Sequence, residues 1–520
     1  MIPSPPYYTP ALIVAIPLLG AFLTPLVSRI NDKLRNTFVL VMLGITGVFI
    51  FLLAYDIFIN GGIHTYVFGA KDLSLPVVRI LFEVDAMSIF MAIIAIILSG
   101  VAVIYSWNFM KENTGLDKFY TLILLMVAGI LGMTLTGDLF NFFVFLEITS
   151  IASCALIAFW THEGESVEAA FKYIVISSIG ALFVLFAIGI FYGQYNALNI
   201  AVIANSLQYT VLDKVALVLL IAALAMKAGI VPMHMWLPDS YGRAPVPVTL
   251  VLVGATLASL YAVFRVCFTL FGGNLQNIAL NTIPVGWLVV ILGVITMLVG
   301  VVMAIIQTDF KRLIAYGAVA ELGYMFLGIG TGLALISDPT MSTAGLTAMK
   351  GGIFHIMNDA LDVGLLFLVA GAIYYATKER SLNKLGGLAR NMKYTTIFFI
   401  IGLLAVAGMP PMNGFVSKLL IYESTYQLNP LLAIIAVLSS IMLLAVFIKV
   451  LHSAFLGPAL PKFENVKEVP KSMLFAMGII ATIIIIFGLF PDLIITHVVE
   501  PATNALVDYS GYITSAIGGI

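Results

Sequence analysis

Hydrophobic residues come along this chain in runs of about twenty, separated by short polar stretches, and the pattern repeats from end to end. A helix rises ~1.5 Å per residue, so each run suffices to cross ~30 Å of hydrocarbon. The pattern predicts about 14 spans, centred on residues 9–28, 37–58, 86–107, 119–136, 139–160, 171–192, 213–231, 246–271, 286–307, 312–334, 343–376, 395–427, 430–456 and 472–490. No 100-residue stretch lacks such a run, so no separate soluble domain is expected. The segment 343–376 is too long for one straight crossing, which implies tilt or an extra turn outside the bilayer. The segment 395–427 contains Gly408-Met-Pro410-Pro411 and is predicted to be broken. Arg29, Lys33 and Arg35 follow the first run rather than precede it, as in a retained first span and not a cleaved signal peptide.

Composition agrees with this reading. Of 520 residues 61% are hydrophobic and 10% charged, against roughly 25% charged in soluble domains. A net charge of −1 gives no reason to expect nucleic-acid binding. The two cysteines, Cys154 and Cys267, lie far apart in apolar runs, so no iron–sulfur, nickel or zinc site is expected. No glycine-rich nucleotide fingerprint follows a strand pattern, and no cofactor is expected. Basic residues alternate strongly between the two sides: roughly seventeen fall in loops of one side, and only Lys71, Arg79 and Lys214 on the other. The positive-inside rule then predicts a multi-pass protein of the cell membrane with both termini outside and the loop 378–393 in the cytoplasm.

Five basic residues remain within or near spans: Lys227, Arg265, Lys350, Lys418 and Lys449. Glu147, Glu321, Asp359, Asp362 and Glu423 are expected at similar depth, together with His355. Each such charge costs about 2.5–3.5 kcal/mol on insertion scales, so mutual pairing or an ion path is implied. For Lys449 and Arg265, snorkelling to an interface explains the charge equally well. Two spans are interrupted beside a lysine, one at Lys227-Ala-Gly-Ile-Val-Pro232-Met-His234 and one at Gly408-Met-Pro410-Pro411-Met-Asn-Gly-Phe-Val-Ser-Lys418. A proline within a span frees carbonyls that need polar partners, and broken helices at membrane depth mark transport sites.

These stretches closely resemble the antiporter-like membrane subunits of NADH–quinone oxidoreductase, Mrp sodium/proton antiporters and membrane-bound hydrogenases. The resemblance is carried by Asn141-Phe-Phe-Val-Phe-Leu-Glu147-Ile-Thr-Ser150, Lys227 to Asp239, Ala244-Pro-Val-Pro-Val248, Asp309-Phe-Lys-Arg-Leu-Ile-Ala-Tyr316 and Gly408 to Lys418, and it covers roughly residues 80–460. It implies an all-α polytopic fold with two inverted five-helix repeats, 118–271 and 286–456, each with a broken helix. Residues 1–117 would supply three preceding helices and 471–520 a last helix and tail. It also implies that Glu147 is the carboxylate of the first repeat, Lys227 the lysine of its broken helix, and His234 the histidine after that break. His355 matches a second-repeat histidine of the central axis, and Lys418 the lysine ending the second path.

Three positions depart from the family pattern. Leu257 stands where a lysine or histidine is usual, Glu321 where many members have histidine, and Asp359 and Val363 where Mrp-type sequences often have histidine and lysine. The central relay is therefore more acidic than usual. Low dielectric disfavours the charged form of a lone lysine, and a nearby carboxylate restores it. Movement of Glu147 relative to Lys227 would then load or release a proton, which passes Glu321, His355 and the neighbouring acids towards Lys418. Asp359 and Asp362 lie three apart on one helix face and could instead offer oxygens to Na⁺. The run Glu163/Glu165/Glu168 is expected to be a solvated face.

The leading reading is a non-catalytic, proton-translocating subunit of a redox-driven complex, with the acidic positions leaning towards the hydrogenase-related branch. The alternative is a subunit of an Mrp-type antiporter, and both imply other membrane subunits as partners. An inert scaffold and a solute carrier are weaker readings, because the first does not need the buried lysines and the second wants a substrate-sized pocket. The chain ends soon after residue 491 without a long lateral helix, unlike the largest, L-type members.

Overall fold

The apolar runs form helices because a bilayer offers no partner to a free N–H or C=O, and a helix satisfies them all internally. The computed structural model describes residues 5–69, 80–272, 279–280 and 283–518. Among them, 13 helices are long and apolar enough to cross a membrane. One further crossing is made in two pieces, Lys393–Val406 and Asn413–Leu428, separated at Gly408–Met412 as the two prolines predicted. The all-α polytopic architecture is therefore as expected.

The spans fall into a buried centre and an apolar periphery. The most apolar stretches of Val246–Leu270, Phe310–Leu335 and Ser342–Thr377 are entirely buried, whereas only about a third of each is buried in Thr9–Ser28, Pro430–Leu456 and Lys471–Leu489. A helix apolar all round and wrapped by protein needs no match to bilayer thickness. That accounts for Ser342–Thr377, a continuous helix of 36 residues, or about 54 Å at the usual rise.

Close approach holds the centre together. The helices Val285–Ile306 and Phe310–Leu335 run side by side with glycines at the contact. A Cβ on Gly293 would lie 2.7 Å from the Leu327 nitrogen, and one on Gly330 2.7 Å from the Val290 nitrogen. In lipid, where apolar burial between helices gains little, such dense packing replaces the hydrophobic effect.

The two membrane faces differ. On one, the strands His64–Phe68 and Ile80–Val84 pair antiparallel, and the Gly137 amide donates to the Leu81 carbonyl at 2.9 Å. The C-terminal helix Tyr509–Gly518 lies on the same face, its Ser515 hydroxyl donating to Glu83 at 3.0 Å. We call this the hairpin face. Lys71 and Arg79, counted on this side in the sequence, lie outside the described residues.

On the opposite, basic face Glu165 and Glu168 are exposed, as the solvated-face expectation has it, and Glu163 is partly buried. Glu163 pairs with Arg380 at 3.2 Å, Glu165 with Arg243 at 3.0 Å and Glu168 with Lys172 at 2.7 Å. The Glu163–Arg380 pair ties the loop after Thr377 to the first half of the chain. Lys311 also differs from its loop assignment: it is buried, and its ammonium donates to the Ala244 carbonyl at 2.6 Å.

Gly293→Val should drive apart the two central helices and lower the melting temperature in detergent, since overpacking a filled interface costs about 1–3 kcal/mol. An unchanged melting temperature would show that the contact is not needed.

Candidate functional site

The second helix break creates the site's most connected part. Gly408, at φ +68°, turns the chain after Val406, a conformation in which a Cβ is strained; a Cβ there would also lie 2.9 Å from the Lys418 side chain. The freed Val406 carbonyl accepts from the Lys418 ammonium at 2.7 Å. The same ammonium reaches Glu321 Oε1 at 2.8 Å and sits 4.4 Å from the Tyr324 ring centre. Glu321 Oε2 meets His355 Nε2 at 2.6 Å, and His355 Nδ1 faces the Ser417 hydroxyl at 3.0 Å. Lys418, Glu321 and His355 are each 1% exposed.

One and two turns further along the His355 helix lie Asp359 and Asp362, both buried. Asp362 packs at Gly414, where a Cβ would be 3.4 Å from its Oδ2. Asp359 Oδ1 and Asp362 Oδ1 each lack a hydrogen-bond partner among the described residues. Buried polar atoms are almost always satisfied, so these two oxygens stand out as polar atoms that no described side chain or backbone group serves.

The first break is looser. Val211–Ala228 ends at Gly229, φ +77°, and the Val231 amide then donates to Thr296 Oγ1 at 3.1 Å. Lys227 donates to Ser150 Oγ at 2.7 Å and to Ser177 Oγ at 3.0 Å. Glu147 Oε1 stands 4.0 Å away, and its side chain is 32% exposed. A cavity of about 20 Å³ adjoins Lys227, with Thr149, Ser150, Ser177, Thr256 and Ser259 in its wall. That is room for a water molecule. His234 is buried, 6.5 Å from the Tyr316 ring centre, and belongs to neither cluster through any described hydrogen bond. Pro232, Pro410 and Pro411 lie at the exposed edges of the two breaks.

Leu257 is buried and supplies no polar atom, as the sequence implied. What the sequence did not suggest is that hydroxyls stand on either side of it. Thr256 and Ser259 face the Lys227 cavity, and Thr256 pairs with the Tyr241 hydroxyl at 2.7 Å.

Other charges fall elsewhere than expected. Lys350 is half-buried and pairs with Glu500 at 2.9 Å. Glu423 is exposed, on the outer side of Asn413–Leu428. Lys449 snorkels, donating to the Ile305 and Gln307 carbonyls at 2.9 and 3.2 Å. Arg265 does not: it is buried and holds Asp85 through two 2.7 Å bonds. Asp85 and the neighbouring Glu83 were missed because both precede an apolar run. Their spacing from it was the available signal, since Asp85 caps the helix Ala86–Phe109 through the Ser88 amide.

Comparison with known proteins bears on this arrangement. Residues 136–443 match the family described as NADH:quinone oxidoreductase/Mrp antiporter, transmembrane. The chain belongs to this family. Residues 75–120 match the N-terminus of chain 5 of NADH–ubiquinone oxidoreductase (complex I). Among relatives, the NADH-quinone oxidoreductase subunit N of Desulforudis audaxviator is 31% identical, over 95% of this chain and 98% of that protein. An Na⁺/H⁺ antiporter subunit of Alkalihalophilus pseudofirmus is 30% identical over 94% of this chain, which spans only 62% of that longer protein. Two solved structures are similar over 98% of this chain and 99% of theirs: the Mrp complex of a Dietzia species, with TM-score 0.85 and 25% identity, and the membrane-bound sulfane sulfur reductase, an archaeal respiratory membrane complex, with TM-score 0.84 and 26% identity. The fold is thus that of the family, and Lys227, Glu147, Glu321 and Lys418 all lie within the matched region.

Glu83, on the hairpin face, gives the site a measurable pH signature. Burial pushes its carboxyl from 4.5 up to about 8, only partly opposed by the Ser515 hydrogen bond and the Arg265 charge. The folded protein therefore carries a proton that the unfolded chain has lost between pH 4.5 and about 8. This stabilising contribution is complete below 4.5 and is lost as pH rises through about 8. Glu83→Gln should flatten that decline, so melting temperatures of the two proteins should diverge as pH rises across this window. Parallel pH profiles would contradict the assignment.

Proposed function

We propose that this chain is the proton-translocating membrane subunit of a redox-driven complex, with the electron carriers in partner subunits. One observation carries the reading most: two buried lysines, each beside a helix break, with the second bonded in series to Glu321 and His355. Lysines cost too much in a membrane interior to be kept without a use, and both have polar neighbours that can exchange a proton. Lys227, held by two hydroxyls with Glu147 at 4.0 Å, is the switchable member. In this reading the proton passes from Lys227 through the hydroxyl-lined cavity to Asp359, Asp362, Glu321 and His355, and Lys418 governs its release.

The two breaks are read as corresponding positions of two five-helix repeats, 118–271 and 286–456. The basic face is read as cytoplasmic and the hairpin face as outer, in the cell membrane. Exposure supports partners. Glu147, Met233 and Met235 at the first break, and Met409 at the second, are open on this chain alone. Irregular backbone and a carboxylate at membrane depth are not tolerated against lipid, so neighbouring subunits are expected over them. The similarity to the sulfane sulfur reductase complex favours a respiratory assembly; the similarity to the Na⁺/H⁺ antiporter relative keeps the Mrp-type antiporter as the alternative.

In the assembled complex, Lys227→Ala should cut ion translocation per turnover severalfold while the partner subunits remain bound. Normal translocation would refute the reading. Asp359 and Asp362 offer the one alternative ion chemistry, with Na⁺ held by their unpartnered oxygens. If protons alone are carried, transport by Asp359→Asn vesicles should fall equally with and without sodium; a loss seen only in sodium would favour the cation site.

A further inference from the structure

A proton on Lys227 has a shorter way out than the one through Glu321. Beside the Lys227 cavity lies a second, of about 30 Å³, bordered by Arg265, Tyr261, Thr136, Leu220 and Leu224. Leu224 and Leu220 are one and two turns before Lys227 on its own helix. Met133 lines both cavities. Each space can hold a water, and the side chain they share is a methionine, the most deformable of apolar side chains. Beyond the second cavity come Asp85, Glu83 and the docked C-terminal helix. An open path there would let protons cross the first half alone and bypass the rest of the chain.

We propose that Arg265 is an electrostatic seal that denies Lys227 this direct route and so forces its proton sideways into the acidic centre. The inference rests on proton carriage at Lys227. The geometry suits a barrier and not a relay. Arg265 borders the cavity whereas its counter-ion Asp85 does not, so the cavity meets the positive end of the pair. Guanidinium stays charged at any physiological pH and only donates. A water beside it turns its oxygen to the cation and cannot pass a proton onward, and fixed positive charge excludes protons and cations from narrow pores.

The neighbouring hydroxyls are immobilised in the same sense. Tyr261 accepts from Arg265 Nε at 3.0 Å and Nη2 at 2.9 Å, and donates to the Thr134 carbonyl at 3.1 Å. Ser88 accepts from Arg265 at 3.2 Å and donates to Asp85 at 2.9 Å. Tyr261, the hydroxyl of the two that borders the cavity, has both lone pairs and its proton committed and so shuttles nothing, while Ser88 lies 3.2 Å from it, outside the cavity lining. The Tyr512 ring, 4.9 Å from the guanidinium, closes the site from the C-terminal helix.

The test measures passive proton flux into vesicles holding the assembled complex, under an imposed potential and without substrate. Arg265→Met combined with Asp85→Asn removes both charges and leaves neither unpaired. It should raise the passive flux severalfold over wild type; an assembled double variant as tight as wild type would overturn the proposal. Met133→Gln, close in volume, wets the wall but keeps Arg265. It should stay tight, and a leak from it would overturn the proposal by placing the seal at the methionine. The second variant keeps the proposal open to refutation even if the first fails to assemble. Because no turnover is involved, Lys227→Ala pumping normally would refute the proton path without altering either leak measurement.

Discussion

A carboxylate buried away from bulk solvent dictates how the centre is built. Glu321 is buried among three helices, and ionised it needs cations and donors on both oxygens. Lys418 and His355 supply them at 2.8 and 2.6 Å. Losing one member of such a group strands a buried charge, at about 3–5 kcal/mol. Lys418 in turn needs acceptors for its other protons, and the Val406 carbonyl is available only because the helix ends there. The break is thus part of the charge arrangement. Asn413 and Asn358 then tie its far side to the His355 helix, bonding each other at 3.0 Å. Broken backbone, buried acid and buried lysine are one structural unit.

The first half obeys the same constraint less strictly. Lys227 has two hydroxyls and a cavity instead of a carboxylate in contact, and Glu147 is partly exposed. Hydroxyls compensate an ammonium less than a carboxylate does. The balance between charged and neutral lysine can therefore be tipped by a small displacement of Glu147. A ligand or partner shifts an equilibrium only through its different affinity for the two states. A neighbouring protein packed over Glu147, as proposed, would be placed to make that difference, while the clamped Lys418 group is placed to resist it. The two halves share an architecture of break and lysine but differ in how firmly the charge is held.

Much of this was legible in the chain, and for physical reasons. Span number follows from helix rise and bilayer thickness, and the breaks at Pro232 and Pro410-Pro411 follow from proline chemistry. The depth of Lys227, Glu321 and Lys418 follows from the apolar runs around them. Side-chain direction does not. Hydropathy cannot say which face of a helix a residue takes, so Glu423 was grouped with the buried acids and Lys311 with the loops, and each proved the reverse. Pairing across distant sequence was also hidden. Nothing in the order of residues brings Asp85 to Arg265, Lys350 to Glu500 or Glu163 to Arg380; those contacts depend on how helices far apart in the chain are laid together.

Leu257 leaves the line without a titratable residue at one place, and the cost falls on transfer. Lysine or histidine there could hold a proton as a stable intermediate, whereas threonine, serine and tyrosine hydroxyls bind one far too weakly. They can pass it only by accepting and donating at once, within a hydrogen-bonded file completed by water. The groups flanking Leu257 meet that requirement in part: Thr256 and Ser259 border the Lys227 cavity, and Thr256 continues to Tyr241 at 2.7 Å. If protons follow the proposed path, transfer across the first half would be governed by whether that file is filled, since a single absent water breaks it. In the proposed path, the last steps of the second half, among His355, Glu321 and Lys418, would run between side chains already in contact and be governed by charge. A chain built this way couples wetting on one side to ion pairing on the other. On the proposed reading, a charged Lys227 would favour water in its own cavity more than a neutral one, so the state of the lysine would set the conductance of the path that empties it.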